Sequence, residues 1–150
     1  MDPLSILGAV STVTKTTYWI SSSLFTFIQS SRVIDKTLEE LNREVKGLTK
    51  ALESIELSLK DPAISRIKSG KDAKGPWGCL DVAVTDTQRT VNALKGIVEG
   101  LGVVKKSANP FKKTVKQVKL NLDTDQIRGV RDRIHTHTTS LQLALQTATL

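Results

Sequence analysis

Six lysines, Lys105, Lys106, Lys112, Lys113, Lys116 and Lys119, fall within fifteen residues, and no acid lies between Glu99 and Asp123. On a helix, Lys112, Lys116 and Lys119 stand at i, i+4 and i+7 and share one face. A lysine cluster of this size next to an amphipathic element suits anionic lipid, at about 1 kcal/mol per lysine near the surface. Nucleic acid is the weaker partner. The cluster holds no arginine to read a base edge, and Phe111 is its one aromatic where stacking needs several. A merely solvated basic face is the plain alternative.

Other reactive residues are few. His135 and His137 are two apart on a predicted helix, so they point about 200° apart and do not share a metal. They read as surface or boundary histidines. Cys79 is the single cysteine, which excludes an intrachain disulfide and any cysteine-built metal site. It reads as a small buried residue. Gly96 and Gly100 form a G-x-x-x-G pair, but Glu99 inside it argues against a membrane dimer face. No Ser/His/Asp set and no paired carboxylates stand out. No G-x-x-x-x-G-K-[ST] loop occurs, so the chain is not itself a nucleotide switch. The expectation is a protein without enzyme activity, metal or cofactor.

The elements that position these residues are helical. Ile34, Leu38, Leu41, Val45, Leu48, Leu52, Ile55 and Leu59 step by four and three, an apolar seam with charges elsewhere. Asp61-Pro62 ends that helix. SRIKSGKDAKGPWG reads as a basic, glycine-rich loop. Leu80, Val84, Thr87, Val91, Leu94, Val98 and Leu101 repeat the same steps, with Gly100 and Gly102 expected to close a helix over 78–101. A short basic helix follows over 110–121, with Phe111, Val115, Val118 and Leu122 inward. Asp123 or Thr124 caps a last helix whose face holds Ile127, Val130, Ile134, Leu141, Leu145 and Ala148. At 150 residues, the length fits one domain, 1–150. With no competing strand signal, the fold class is all-α: an antiparallel bundle of four long helices plus a short basic helix.

The first helix is the unusual one. Between Pro3 and Ser31 there is one charged residue, Lys15, against twelve Ser/Thr. Asp2 and Pro3 make a helix start. The stripe Ile6, Val10, Val13, Ile20, Leu24 and Phe27 is its most apolar face, with Leu7, Val10, Leu24 and Phe27 expected to be buried and Lys15 in solvent. A membrane span needs about 20 mostly apolar residues. This segment is more polar than that, yet too apolar all round for a surface helix, so it reads as a bundle helix buried on most sides. The third possibility is a helix stored in the bundle and inserted when released. It lacks a basic n-region and a cleavage site, as well as the arginines of a presequence, so a cytoplasmic protein is expected. The net charge of +7 arises wholly in residues 61–120, which carry twelve Lys/Arg and five Asp/Glu.

Several of these residues carry a resemblance. MDPLSI, the rhythm of Leu38, Leu41, Glu44, Val45, Leu48 and Leu52, GCLDVAV with Cys79, and the closing SLQLALQTATL resemble the N-terminal domain of fungal STAND receptors, the NLR-like proteins with NACHT or NB-ARC cores. The group implied is HeLo-like. It is similar to the HeLo domain of fungal incompatibility proteins and to the four-helix-bundle domain of the necroptosis pseudokinase. The resemblance implies a signalling and effector domain of programmed cell death and heterokaryon incompatibility. Such a domain self-associates on activation and is recruited to the plasma membrane. It implies a membrane-insertion helix containing Leu4, Leu7, Val10, Val13, Trp19, Ile20, Leu24 and Phe27, and lipid contact at Lys105, Lys106, Lys112, Lys113, Lys116 and Lys119. A fused NACHT or NB-ARC region, or an NLR-type partner, is implied too. Gly8 is followed by Thr12 and Thr16, where some relatives carry a glycine zipper. A soluble homotypic or adaptor module with no membrane activity is the alternative.

Overall fold

The computed structural model describes residues 3–31, 36–61, 76–107 and 124–149. The described residues form four helices: α1 (Pro3–Ser31), α2 (Lys36–Lys60), α3 (Pro76–Ser107) and α4 (Thr124–Thr149). No strand occurs among the described residues. The all-helical bundle expected from the periodic seams is what forms. The loop around Gly70 and the short basic helix over 110–121 lie outside the described residues.

The helices close a ring. α1 packs on α2 and α3, and α4 packs on α2 and α3, so α2 and α3 sit across the bundle from one another although they are consecutive in the chain. Side-chain pairs give directions. Ser11 meets Glu56, Tyr18 meets Glu53 and Ser21 meets Asn42, so α2 descends as α1 ascends. Arg131 meets Glu40 and His135 meets Glu44, so α4 and α2 ascend together at their contact.

The core is the sum of the inward seams. On α2, Leu38, Leu41, Val45, Leu48, Leu52, Ile55 and Leu59 are all buried. Each fully buried Leu or Ile stabilises by about 1.5–3 kcal/mol relative to exposure. On α3 the seam from Leu80 to Val98 is buried, Thr87 included, and Trp77 extends it by one turn toward the N-terminus. On α4, Ile127, Val130, Ile134, Leu141, Ala144 and Ala148 face inward. Leu145, expected on this face, packs only half-buried against the core, because Ala144 takes the position three residues after Leu141.

Two boundaries differ from the sequence reading. α3 begins at Pro76, where proline's missing N–H costs nothing in a first turn. It then runs through Gly100 and Gly102 to Ser107. A glycine inside a helix costs only about 1 kcal/mol. Nothing in Val103, Val104, Lys105 and Lys106 forces the chain to leave helical geometry, so the glycines do not act as a stop.

Candidate functional site on helix α1

α1 has two faces of different chemistry. Ile6, Val10, Val13, Ile20, Leu24 and Phe27 are buried, which is the apolar stripe read from the sequence. Leu7 lies half-buried at the margin. Thr14 and Thr17 fill the gap in that stripe between Val13 and Ile20 and are buried with it. Helix α1 is not buried on most sides, however. It occupies a corner of the ring with two neighbours, so its outer face meets solvent. Tyr18 is 54% exposed, Trp19 41% and Phe25 49%. Lys15, one turn before Tyr18, is exposed as well.

The buried threonines satisfy themselves. Thr14 Oγ1 donates to the Val10 carbonyl at 2.7 Å, and Thr17 Oγ1 donates to the Thr14 carbonyl at 2.8 Å. Thr12 and Thr16 on the outside do the same toward Gly8 and Thr12. A buried hydroxyl without a partner costs about 1–3 kcal/mol. Here that cost is avoided inside the helix itself, so these residues do not tie α1 to its neighbours.

What does tie α1 to α2 is a short polar row at the rim. Ser11 Oγ donates to Glu56 at 2.8 Å, the Tyr18 hydroxyl donates to Glu53, and Ser21 Oγ donates to Asn42 Oδ1 at 2.9 Å. The Ser11 bond holds the Glu56 carboxyl below its ordinary range, assisted by Lys60 at 3.4 Å and by Lys15, against some loss of hydration. The bond to Glu53 pushes the Tyr18 phenol up, because ionising it would place two anions together.

The remaining candidates are placed as follows. Lys105 and Lys106 belong to the last turns of α3, with their side chains outside the described set. Lys112, Lys113, Lys116 and Lys119 lie outside the described residues, as does the side chain of Leu4. Cys79 is exposed, contrary to the buried position expected. Trp77 and Leu80 turn into the core, and Cys79 between them turns out. His135 is exposed with Nδ1 3.2 Å from Glu44, while His137 is half-buried with Nε2 2.7 Å from Thr90 Oγ1. The two histidines therefore face different helices. No cluster of metal-ligating side chains occurs among the described residues. Gly96 and Gly100 are exposed, with nothing within 4 Å of the space a side chain would take.

The sequence reading missed the outward set of Tyr18 and Phe25. Their seven-residue spacing, in register with Lys15, was the available signal. None of the described helices is long and apolar enough to cross a membrane. No protein-family model, curated protein or solved structure matches the chain.

Proposed function

We propose that this chain is a non-enzymatic signalling and effector domain of the HeLo-like type, a helical bundle, with α1 and α2 antiparallel but α2 and α4 parallel at their contact, completed by a short basic helix over 110–121. In this reading it works in the cytoplasm in a programmed-cell-death or incompatibility response. It self-associates when activated, alone or through a fused or partner NACHT or NB-ARC region, and it is recruited to the plasma membrane. Helix α1 is the membrane element, and Lys105, Lys106, Lys112, Lys113, Lys116 and Lys119 attract anionic lipid.

The observation that supports this reading best is the two-sidedness of α1. A helix with Tyr18, Trp19 and Phe25 on its outer face and a lysine beside them fits the interfacial region of a bilayer, where amphipathic aromatics collect. Because α1 alone falls short of a span, the reading has it lie in the interface or enter as part of an oligomer, where neighbours compensate for Lys15. The adaptor reading uses the same face for a partner protein and needs no lipid.

The test is co-sedimentation with anionic and neutral liposomes, together with dye leakage from liposomes treated with artificially oligomerised protein. Lys112, Lys113, Lys116 and Lys119 changed together to Gln should weaken anionic-liposome binding by roughly 4 kcal/mol at low salt, less as salt rises. Trp19→Ser with Phe25→Ser should reduce leakage while leaving the bundle folded, since both side chains are exposed. If oligomers of the intact domain never cause leakage and bind both liposomes equally weakly, the adaptor reading replaces this one.

A further inference from the structure

Two cavities are of interest. One lies among Leu24, Leu41, Leu94, Val98, Ile127 and Val130, holds about 30 Å³, and is almost wholly apolar. That is room for about one water, and Gln126 is the one polar side chain in its lining. The other is a half-open groove of about 360 Å³ between the last turns of α1 and the first turns of α2. Its volume lies within the range of about 300–1,000 Å³ typical of small-molecule sites.

The groove has chemical polarity. Phe25 and Ile28, one turn apart on α1, make the apolar wall. Arg43 and Lys46 stand opposite on α2, both exposed, and neither is in an ion pair among the described residues. Lys46 Nζ lies 6.0 Å from the centre of the Phe25 ring, so charge and apolar surface already meet. Asn42 lines the groove between them, with its Oδ1 accepting from Ser21. Glu39 stands on the α2 wall one turn before Arg43, so an anionic head is drawn to Arg43 and Lys46 and away from that end. The α2 wall from Glu39 to Lys46 spans only about 10 Å at 1.5 Å per residue. That is short for a docked partner helix and suits one compact molecule.

We propose that this groove binds a small organic anion that pairs a carboxylate or phosphate head with an apolar body, the head on Arg43 and Lys46 and the body along Phe25 and Ile28. A ligand seated there touches α1 and α2 at once, so occupancy holds α1 in the bundle and raises the melting temperature. The inference is independent of the effector reading, because it requires no membrane.

The experiment titrates decanoate and decyl phosphate, each below its micelle concentration, into the intact chain, followed by calorimetry and backbone amide shifts. Saturable binding is expected, with shifts centred on Phe25, Ile28, Arg43 and Lys46. Arg43→Gln with Lys46→Gln should weaken it at least tenfold, and decyl glucoside should not bind. Glu39→Gln should tighten it several-fold, a gain that loss of folding cannot mimic. Undiminished affinity in the Arg43/Lys46 variant, equal binding of the glucoside, or shifts centred elsewhere overturns the proposal. So does binding to anionic vesicles without binding of either monomer, an outcome that leaves the effector reading standing. Monomer binding without any vesicle binding upholds the groove and counts against the effector reading.

Discussion

Helices α1 and α2 are neighbours of similar length, built on opposite plans. α2 has an unbroken aliphatic seam inside, Leu38, Leu41, Val45, Leu48, Leu52, Ile55 and Leu59, with Asn42 and Thr49 buried beside it, and carries Glu39, Arg43, Lys46, Lys50 and Lys60 outside along with the exposed Leu57. α1 blurs it. Two of its inward positions are threonines, and three of its outward positions are aromatic. A helix like α2 has one stable use, because turning it or exposing it puts an unbroken aliphatic face in water. α1 loses less when it leaves, since Thr14 and Thr17 keep their hydrogen bonds within the helix and Tyr18, Trp19 and Phe25 are already in water. In the effector reading, this contrast gives α2 the part of scaffold and α1 that of the released element.

The sharpest way to break this comparison is substitution at matched depth. Leu48 is 0% exposed on α2, and Thr17 is 0% exposed on α1. Leu48→Ala should cost about 2–5 kcal/mol, the usual range for emptying a packed core site. Thr17→Val removes a hydroxyl but keeps the shape, and its carbonyl partner stays in the helix ladder, so the change should stay within about 1 kcal/mol of neutral. Urea denaturation of both variants checks this. If Thr17→Val proves as damaging as Leu48→Ala, α1 is held in the core as firmly as α2.

The second prediction concerns the polar row. Ser11→Ala removes the α1–α2 bond to Glu56, and Tyr18→Phe removes the bond to Glu53. The Ser11 bond should contribute about 0.5–1.5 kcal/mol at most, and the Tyr18 bond less than that, because water competes for its exposed hydroxyl. The effect should appear chiefly in local opening. Amide hydrogen exchange should quicken along α1 and change little in α2. Equal acceleration in both helices would mean that α1 has no independent opening.

How far the sequence carried this picture depends on what each helix is made of. The seam of α2 was legible residue by residue, because its four-three spacing is written in large aliphatic side chains with charges between them. The seam of α1 was legible as a stripe, but its inward threonines were not, because the intrahelical bonds that let Thr17 sit buried leave no trace in hydropathy. The end of α3 was misread because Gly100 and Gly102 stop a helix only where the following residues favour departure. Cys79 was misread because its neighbours, Trp77 and Leu80, decide the inward face, and a tryptophan near a glycine-rich stretch gave little hint of a core position. The groove at Phe25 and Lys46 depends on two helices meeting side by side, which no single-helix periodicity encodes.

The smallest effect separates the two helix pairs by pH. On the α3–α4 side, His137 is held by Thr90, and burial pushes its imidazole below the ordinary value of 6.5, with Arg133 acting in the same direction and Asp86 opposing. A folded pKa below the unfolded one means that the unfolded chain takes up the proton first as pH falls. Stability is therefore full above about pH 6.5 and declines below it until the folded protein protonates too. On the α1–α2 side, Glu56 is held below its ordinary 4.5 by Ser11, so its contribution persists to lower pH and fades only below about 4.5. Between pH 7.5 and 5.0, then, the α3–α4 pair should weaken while the Ser11–Glu56 contact does not. The loss should be under about 1 kcal/mol, because the half-exposed ring is screened by solvent. Comparing the parent with His137→Gln isolates the effect, since His135 beside Glu44 is common to both and cancels. The parent should lose more stability than the variant over that interval, and amide exchange should quicken first around Thr90 and His137. If the two proteins lose stability equally, or if lowering the pH quickens exchange no more around Thr90 and His137 than elsewhere, the pH response belongs to other groups.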